Sequence, residues 1–183
     1  MPMAPADTAF SPLAVSALDP DDANRVISGA LSRADDGELF VEYRQSENLV
    51  FDDRRLKSAS TDYSRGFGLR AVAGEAVGYA HSSELSIAAL ERAADAVSAV
   101  TSGHSGTFAS PPAGTNARLY GPDNPLEAPD FATKLKLLEE IDAYVRARDP
   151  RVRQVTVALA GSWQAVEIIR PDAAPLIDIR PLV

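Results

Sequence analysis

From Glu47 to His81 the chain reads ENLVFDDRRLKSASTDYSRGFGLRAVAGEAVGYAH, a run of strand-like alternations joined by polar turns. In residues 65–73, Phe67, Leu69, Ala71 and Ala73 fall on one side, and Gly68, Arg70 and Val72 on the other. A strand places successive side chains on opposite faces, so this pattern is a half-buried strand. Gly74-Glu75 is a short turn, after which Val77 and Tyr79 resume the alternation. Leu39, Val41 and Tyr43 share a face in residues 38–44, and Leu49 and Phe51 alternate in a separate strand. Turns this short leave no room for a crossover, so neighbouring strands are expected to pair antiparallel as a meander.

Helical spacing appears in three places. Asp19-Pro20-Asp21-Asp22 is a helix start: Asp19 can accept from free N–H groups, Pro20 suits the first helical position, and the acids suit the positive helix end. Ile27, Ala30, Leu31 and Ala34 follow, and Asp36-Gly37 ends the helix and turns the chain. Ser83 or Ser86 caps a second helix whose apolar stripe is Ile87, Leu90, Ala94 and Val97. A third runs from about residue 130 to 148, with Phe131, Leu135, Leu138, Ile141 and Val145 expected on its buried face and Glu139, Glu140 and Asp142 on its solvated face. Asp149-Pro150 stops it. Residues 153–159 alternate again, Gly161-Ser162 reads as a turn, residues 163–170 form another strand with Trp163 as a packing residue, and residues 176–183 begin a last one. The fold class is α+β: an antiparallel or mixed curved sheet with about three helices. Residues 101–130, rich in Gly, Ser, Pro and Asn, are the best place for an internal boundary.

Composition narrows the chemistry. The net charge of −8 disfavours direct nucleic-acid binding, which needs clustered Lys and Arg; the one basic cluster, Arg54-Arg55-Leu56-Lys57, follows its own aspartates, Asp52 and Asp53. No apolar run reaches the ~20 residues of a membrane helix, and the N-terminus has no basic, apolar signal pattern. Residues 1–18 read as a flexible leader. Cysteine is absent, which excludes disulfides and thiolate metal sites, and a cytoplasmic location is the default expectation.

Candidate motifs have simpler readings. Gly66-Phe67-Gly68-Leu69-Arg70-Ala71 has the form of a dinucleotide fingerprint, but that motif must open a helix whose N-terminus holds the pyrophosphate. Here strand alternation continues to Tyr79, so the glycines mark a bend, a bulge or a close backbone approach. Gly103-His104-Ser105-Gly106 lacks the strand–turn–helix context of a nucleophile elbow. The two histidines, His81 and His104, have no second ligand at helical spacing. No catalytic or metal-ligating residue is assigned.

Several segments together resemble the TldD/PmbA family of cytoplasmic metalloproteases, also labelled modulators of DNA gyrase. These are Gly37-Glu38-Leu39-Phe40-Val41-Glu42, Asp52-Asp53-Arg54-Arg55-Leu56-Lys57, Gly66-Phe67-Gly68-Leu69-Arg70-Ala71 with Gly74-Glu75, Asp149-Pro150-Arg151-Val152, and Asp178-Ile179-Arg180-Pro181-Leu182-Val183. The ending is closer to the TldD branch than to its PmbA (TldE) partner. The resemblance implies that residues 19–183 are an N-terminal α/β domain, with a C-terminal metallopeptidase domain absent from this chain. It implies zinc in that absent domain, held by a His-Glu-x-x-x-His helix and a later cysteine. It further implies a heterodimer with a TldE/PmbA-like subunit that cleaves peptides in an enclosed chamber, in microcin maturation or antitoxin degradation. The chain itself has no His-Glu pair, so it is expected to be inactive alone. The hairpin at residues 65–80 is then expected to form chamber wall or subunit contact, with Arg65, Phe67, Arg70 and Tyr79 as contact residues. A stand-alone interaction module without catalytic activity and a small-molecule enzyme with an unrecognised site are the alternatives. The unfinished last strand leads to the expectation that the natural polypeptide continues, and that this chain can self-associate through exposed strand edges.

Overall fold

The computed structural model describes residues 10–16, 18–110, 119–171 and 173–183. Among these described residues, three helices and five strands follow in chain order: α1 (Pro20–Ala30), β1 (Asp36–Asp52), β2 (Arg55–Ala73), β3 (Ala76–Ser82), α2 (Ile87–Thr101), α3 (Phe131–Arg148), β4 (Thr156–Ile169) and β5 (Leu176–Leu182). The sheet order is β3-β2-β1-β4-β5. The first three strands form the expected meander; β4 returns to pair beside β1. The chain divides into two compact units, neither continuous in sequence. The first comprises residues 1–43, 64–122 and 165–179, the second residues 44–63, 123–164 and 180–183.

Caps and turns follow the local chemistry. The Asp19 carboxylate accepts from the N–H groups of Asp21 and Asp22, Ser86 Oγ from that of Ala89, and Asp130 from that of Thr133. The β1–β2 turn is Asp53-Arg54, with φ of 48° and 69°, the two left-handed residues a type I′ hairpin requires. The β2–β3 turn is Gly74-Glu75, with only Gly74 left-handed at 60°, as in a type II′ turn.

Strand lengths differ from the sequence reading. Residues 38–44 and 49–51 are one strand, β1, and the polar residues between them are not a turn. Gln45 is buried and accepts from Asn124 Nδ2 at 2.8 Å, and Glu47 receives Lys134 Nζ at 2.8 Å. Their polarity serves partners distant in sequence. Asp36-Gly37 likewise begins β1; a Cβ at Gly37 would lie 2.6 Å from the Arg70 carbonyl oxygen. Gly161-Ser162 is not a turn but the middle of β4, where a Cβ at Gly161 would lie 2.6 Å from Leu126 Cδ2. Trp163, within the same strand, is buried.

The core of the first unit gathers Ile27, Leu31 and Ala34, Leu39 and Val41, Phe67, Leu69 and Ala71, and Leu90, Ala94 and Val97. These are the residues that the periodicities of α1, β1, β2 and α2 assigned to buried faces. Of the segment read as a leader, residues 1–9 and 17 lie outside the described residues. In residues 10–16, Leu13 is buried; Ser11 Oγ and the Leu13 N–H donate to the buried Glu167 carboxylate at 2.6 and 3.1 Å. Part of the 101–130 connection, residues 111–118, also lies outside the described residues.

The second unit has a smaller apolar cluster of Leu49, Phe51 and Leu138, with Leu56, Leu135, Val157 and Leu159 against it. Here α3 departs from expectation. Of the five apolar residues assigned to its buried face only Leu138 is buried; Phe131 and Ile141 are exposed. Lys134 and Asp142 occupy that face instead, and Asp142, expected in solvent, is 3% exposed. Each is held by an opposite charge. Lys134 Nζ donates to both Glu47 oxygens and to the Leu126 carbonyl, and Arg146 Nε donates to Asp142 at 2.9 Å.

Candidate functional site

The β2–β3 hairpin presents polar and aromatic side chains outward from the first unit, Arg65, Tyr79 and His81 among them. Its register pairs Arg70 with Tyr79 and Gly68 with His81. Gly78, on the opposite face, leaves room for α2: a Cβ there would lie 3.0 Å from Val100 Cγ2. Tyr79 therefore points away from α2 and is 65% exposed. Its ring folds back across Gly68, where a Cβ would lie 2.5 Å from Tyr79 Oη and 3.0 Å from Cε2. The His81 ring stacks beside it, with centroids 5.7 Å apart and planes at 29°. A Cβ at Gly66 would lie 2.8 Å from the Ser82 carbonyl oxygen. The two glycines of the fingerprint-like motif are thus sites of close approach within a continuous strand, with no helix N-terminus to hold a pyrophosphate.

A concavity of about 320 Å³ lies here, lined among others by Phe40, Glu42, Arg65, Gly68, Tyr79 and His81. Of the four residues singled out in the sequence, Arg65 and Tyr79 border it and are exposed. Phe67 also lines it but is buried within the core. Arg70 is not part of this lining. Its Nε donates to Glu38 at 2.9 Å and its Nη2 to Asp36 at 2.8 Å. Arg170 reaches the same Asp36 at 2.6 Å and lies 5.1 Å above the Phe108 ring. Burial pushes the Asp36 carboxyl up, but the hydrogen bonds and charges of Arg170 and then Arg70 outweigh it and hold it below the ordinary carboxylate range. This cluster of two acids and two arginines fastens β1 and β2 to residues after β4.

His104 is paired with a carboxylate. Its Nε2 lies 2.8 Å from Asp35 Oδ2, and the Gly74 N–H donates to the same oxygen at 2.7 Å. The Gly74 N–H, then His104, keep the Asp35 carboxyl low. Sequence gave no hint of this pairing, because its members lie 69 residues apart. Among the described residues, no three His, Cys, Asp or Glu side chains converge as metal ligands. No helix among them is long and apolar enough to cross a membrane.

Comparison with known proteins gives these features a family. Residues 37–100 match the PmbA/TldA metallopeptidase domain 1, and residues 124–172 the PmbA/TldA metallopeptidase central domain. A metalloprotease TldD homolog of Haemophilus influenzae is 35% identical over 152 residues, covering 81% of this chain and 32% of the relative. A TldD homolog of Buchnera aphidicola is 28% identical over 150 residues, 81% of this chain and 31% of the relative. The chain thus spans about a third of the length of the curated relatives it matches. The fold is shared with TldE from Thermococcus kodakarensis, at a TM-score of 0.60 and 14% identity over 88% of this chain and 36% of that one. It is also shared with a Bacteroides thetaiotaomicron protein described as a modulator of DNA gyrase, at 0.65 and 12% over 88% of this chain and 38% of that one. The chain belongs to the TldD/PmbA metallopeptidase family, also called modulator of DNA gyrase.

Proposed function

We propose that this chain is the N-terminal, non-catalytic part of a TldD-like zinc metalloprotease, a cytoplasmic enzyme that works with a TldE/PmbA-like subunit on peptides such as microcin precursors or antitoxins. The observation that carries the reading is the pair of matches to the first and central domains of that family, on a chain about a third as long as its curated relatives. In this reading, residues 19–183 supply scaffold, and zinc resides in a C-terminal domain, where a histidine pair holds the ion and a glutamate activates its water.

The hairpin at residues 65–80 is the surface through which this part meets a subunit or a peptide. Arg65 and Tyr79 border its concavity directly, Phe67 supports it from the core, and Arg70 holds the strand to β1 through Glu38 and Asp36. Deleting residues 65–80 from the full-length protein is expected to abolish assembly with the TldE-like subunit or to block peptide cleavage. A deletion variant that still dimerises and cleaves at the parent rate overturns the assignment of this surface.

A further inference from the structure

The two edge strands of the sheet are protected unequally. β5, LIDIRPL, carries Asp178, Arg180 and Pro181, whereas β3, AVGYAHS, carries no Lys, Arg, Asp, Glu or Pro. Unpaired edge groups template pairing with another chain, and natural proteins blunt them with charge or proline. β5 has such protection and β3 has none.

The hairpin register says which β3 groups are open. Ala73 and Ala76 flank a two-residue turn and form the first hydrogen-bonded pair, so Ala71–Gly78, Leu69–Ala80 and Phe67–Ser82 are bonded as well. The groups of Val72 then point away from β3, and the Val72 carbonyl does accept from the Asp35 N–H at 2.8 Å. By the same alternation the N–H and C=O groups of Val77, Tyr79 and His81 point away from β2, and among the described residues no strand follows β3 in the sheet order. Their side chains share the face opposite α2, with Val77 59% exposed.

We propose that β3 is a self-pairing edge: two copies of this chain join antiparallel through β3 about Tyr79, each sheet extending the other. The inference names the partner for the hairpin and rests on the reading that the hairpin meets another polypeptide. Charge leaves this edge open to a second copy. The net charge of −8 opposes association of the chain with itself, and this edge holds none of that charge. A two-fold axis through Tyr79 sets Val77 opposite His81 of the other copy and Glu75 opposite Ser83, so no like charges meet. Two bonds between the tyrosines and two at each Val77–His81 pair give about six main-chain hydrogen bonds. The Tyr79 rings, folded over Gly68, leave the axis clear. An interface this narrow makes a weak dimer that forms as concentration rises.

Sedimentation equilibrium of the 183-residue chain from micromolar to millimolar concentration, paired with amide hydrogen exchange, tests it. The expected result is a reversible monomer–dimer equilibrium in which the Val77, Tyr79 and His81 amides gain protection with concentration, while those of Gly78 and Ala80 are protected throughout. Val77→Lys and Val77→Pro are expected to weaken the dimer by about tenfold or more, and Leu182→Lys on β5 to leave it unchanged. Both Val77 variants keep the hairpin, since Val77 is exposed and outside its hydrogen-bonded pairs. A chain monomeric at every concentration, a dimer indifferent to Val77→Lys, or amides already protected at high dilution overturns the proposal. A monomeric chain whose hairpin is still needed to bind a TldE-like subunit overturns self-pairing alone and leaves the subunit-contact reading standing.

Discussion

The ring of Tyr79 lies against the backbone of Gly68, filling the space a Cβ would take: 2.5 Å from that position to Oη and 3.0 Å to Cε2. Gly68→Ala sets two effects against each other. Alanine restricts the unfolded chain and favours the strand by about 0.5–1 kcal/mol, while the new methyl displaces the Tyr79 ring. The net expectation is a loss of about 1 kcal/mol in the parent. In a Tyr79→Ala background the clash is gone, and Gly68→Ala is expected to stabilise. Urea unfolding of the double-mutant cycle reads this reversal of sign; equal effects in both backgrounds would mean that the ring does not occupy that space.

Arg54 sits at φ 69° in the β1–β2 turn, a conformation that costs a non-glycine residue roughly 1–2 kcal/mol. Arg54→Gly is expected to stabilise by roughly 0.5 kcal/mol, since the relief exceeds the added freedom of the unfolded chain. Asp53 keeps its 2.5 Å contact with Arg146 in this variant. A lower urea midpoint would contradict the left-handed turn.

Lys134 and Glu47 form an ion pair sheltered from solvent, with Nζ 2.8 Å from both carboxylate oxygens and 2.5 Å from the Leu126 carbonyl. Lys134→Ala strands a shielded carboxylate and is expected to cost about 3 kcal/mol. Replacing the pair together, as Lys134→Met with Glu47→Leu, is expected to recover more than half of that. Thermal and urea unfolding of the three variants checks the order; a double variant no better than Lys134→Ala would show that the pair is not what holds this site.

Asp52 is held at about 2 by hydrogen bonds from Thr156 Oγ1 at 2.7 Å, then Gln154 Nε2 at 3.1 Å, then Lys57 Nζ at 3.3 Å. Because its folded value lies below the unfolded one, its stabilising contribution is complete above about pH 4 and is lost as the pH falls through about 2. Thr156→Val is expected to move the Asp52 titration, followed by carboxyl-carbon NMR, upward toward the ordinary value. An unchanged titration would remove Thr156 as the main cause.

What the sequence made legible, and what it did not, divides by the range of the interaction. The caps Asp19 and Ser86 act within three residues, and the stripe Leu90, Ala94, Val97 needs only a helix and a core. These were readable. The polar stretch Gln45 to Asn48 imitated a turn because Asn124 and Lys134, which satisfy Gln45 and Glu47, lie 79 and 87 residues away. On α3 the apolar residues cover a wide arc, and the positions facing inward were decided by Glu47 and Arg146, which partner Lys134 and Asp142. At the candidate site, alternation placed Tyr79 on a strand, whereas the concavity it borders and the ion pairs that hold Arg70 to Glu38 and Asp36 required the fold.

The proposed division of labour, with scaffold here and hydrolytic zinc elsewhere in the parent protein, is most directly tested by metal analysis of the purified 183-residue chain after incubation with zinc and exhaustive dialysis, alongside a peptide-cleavage assay. The account predicts zinc far below one ion per chain and no cleavage above background. One zinc per chain, or turnover of any peptide by this chain alone, would contradict it.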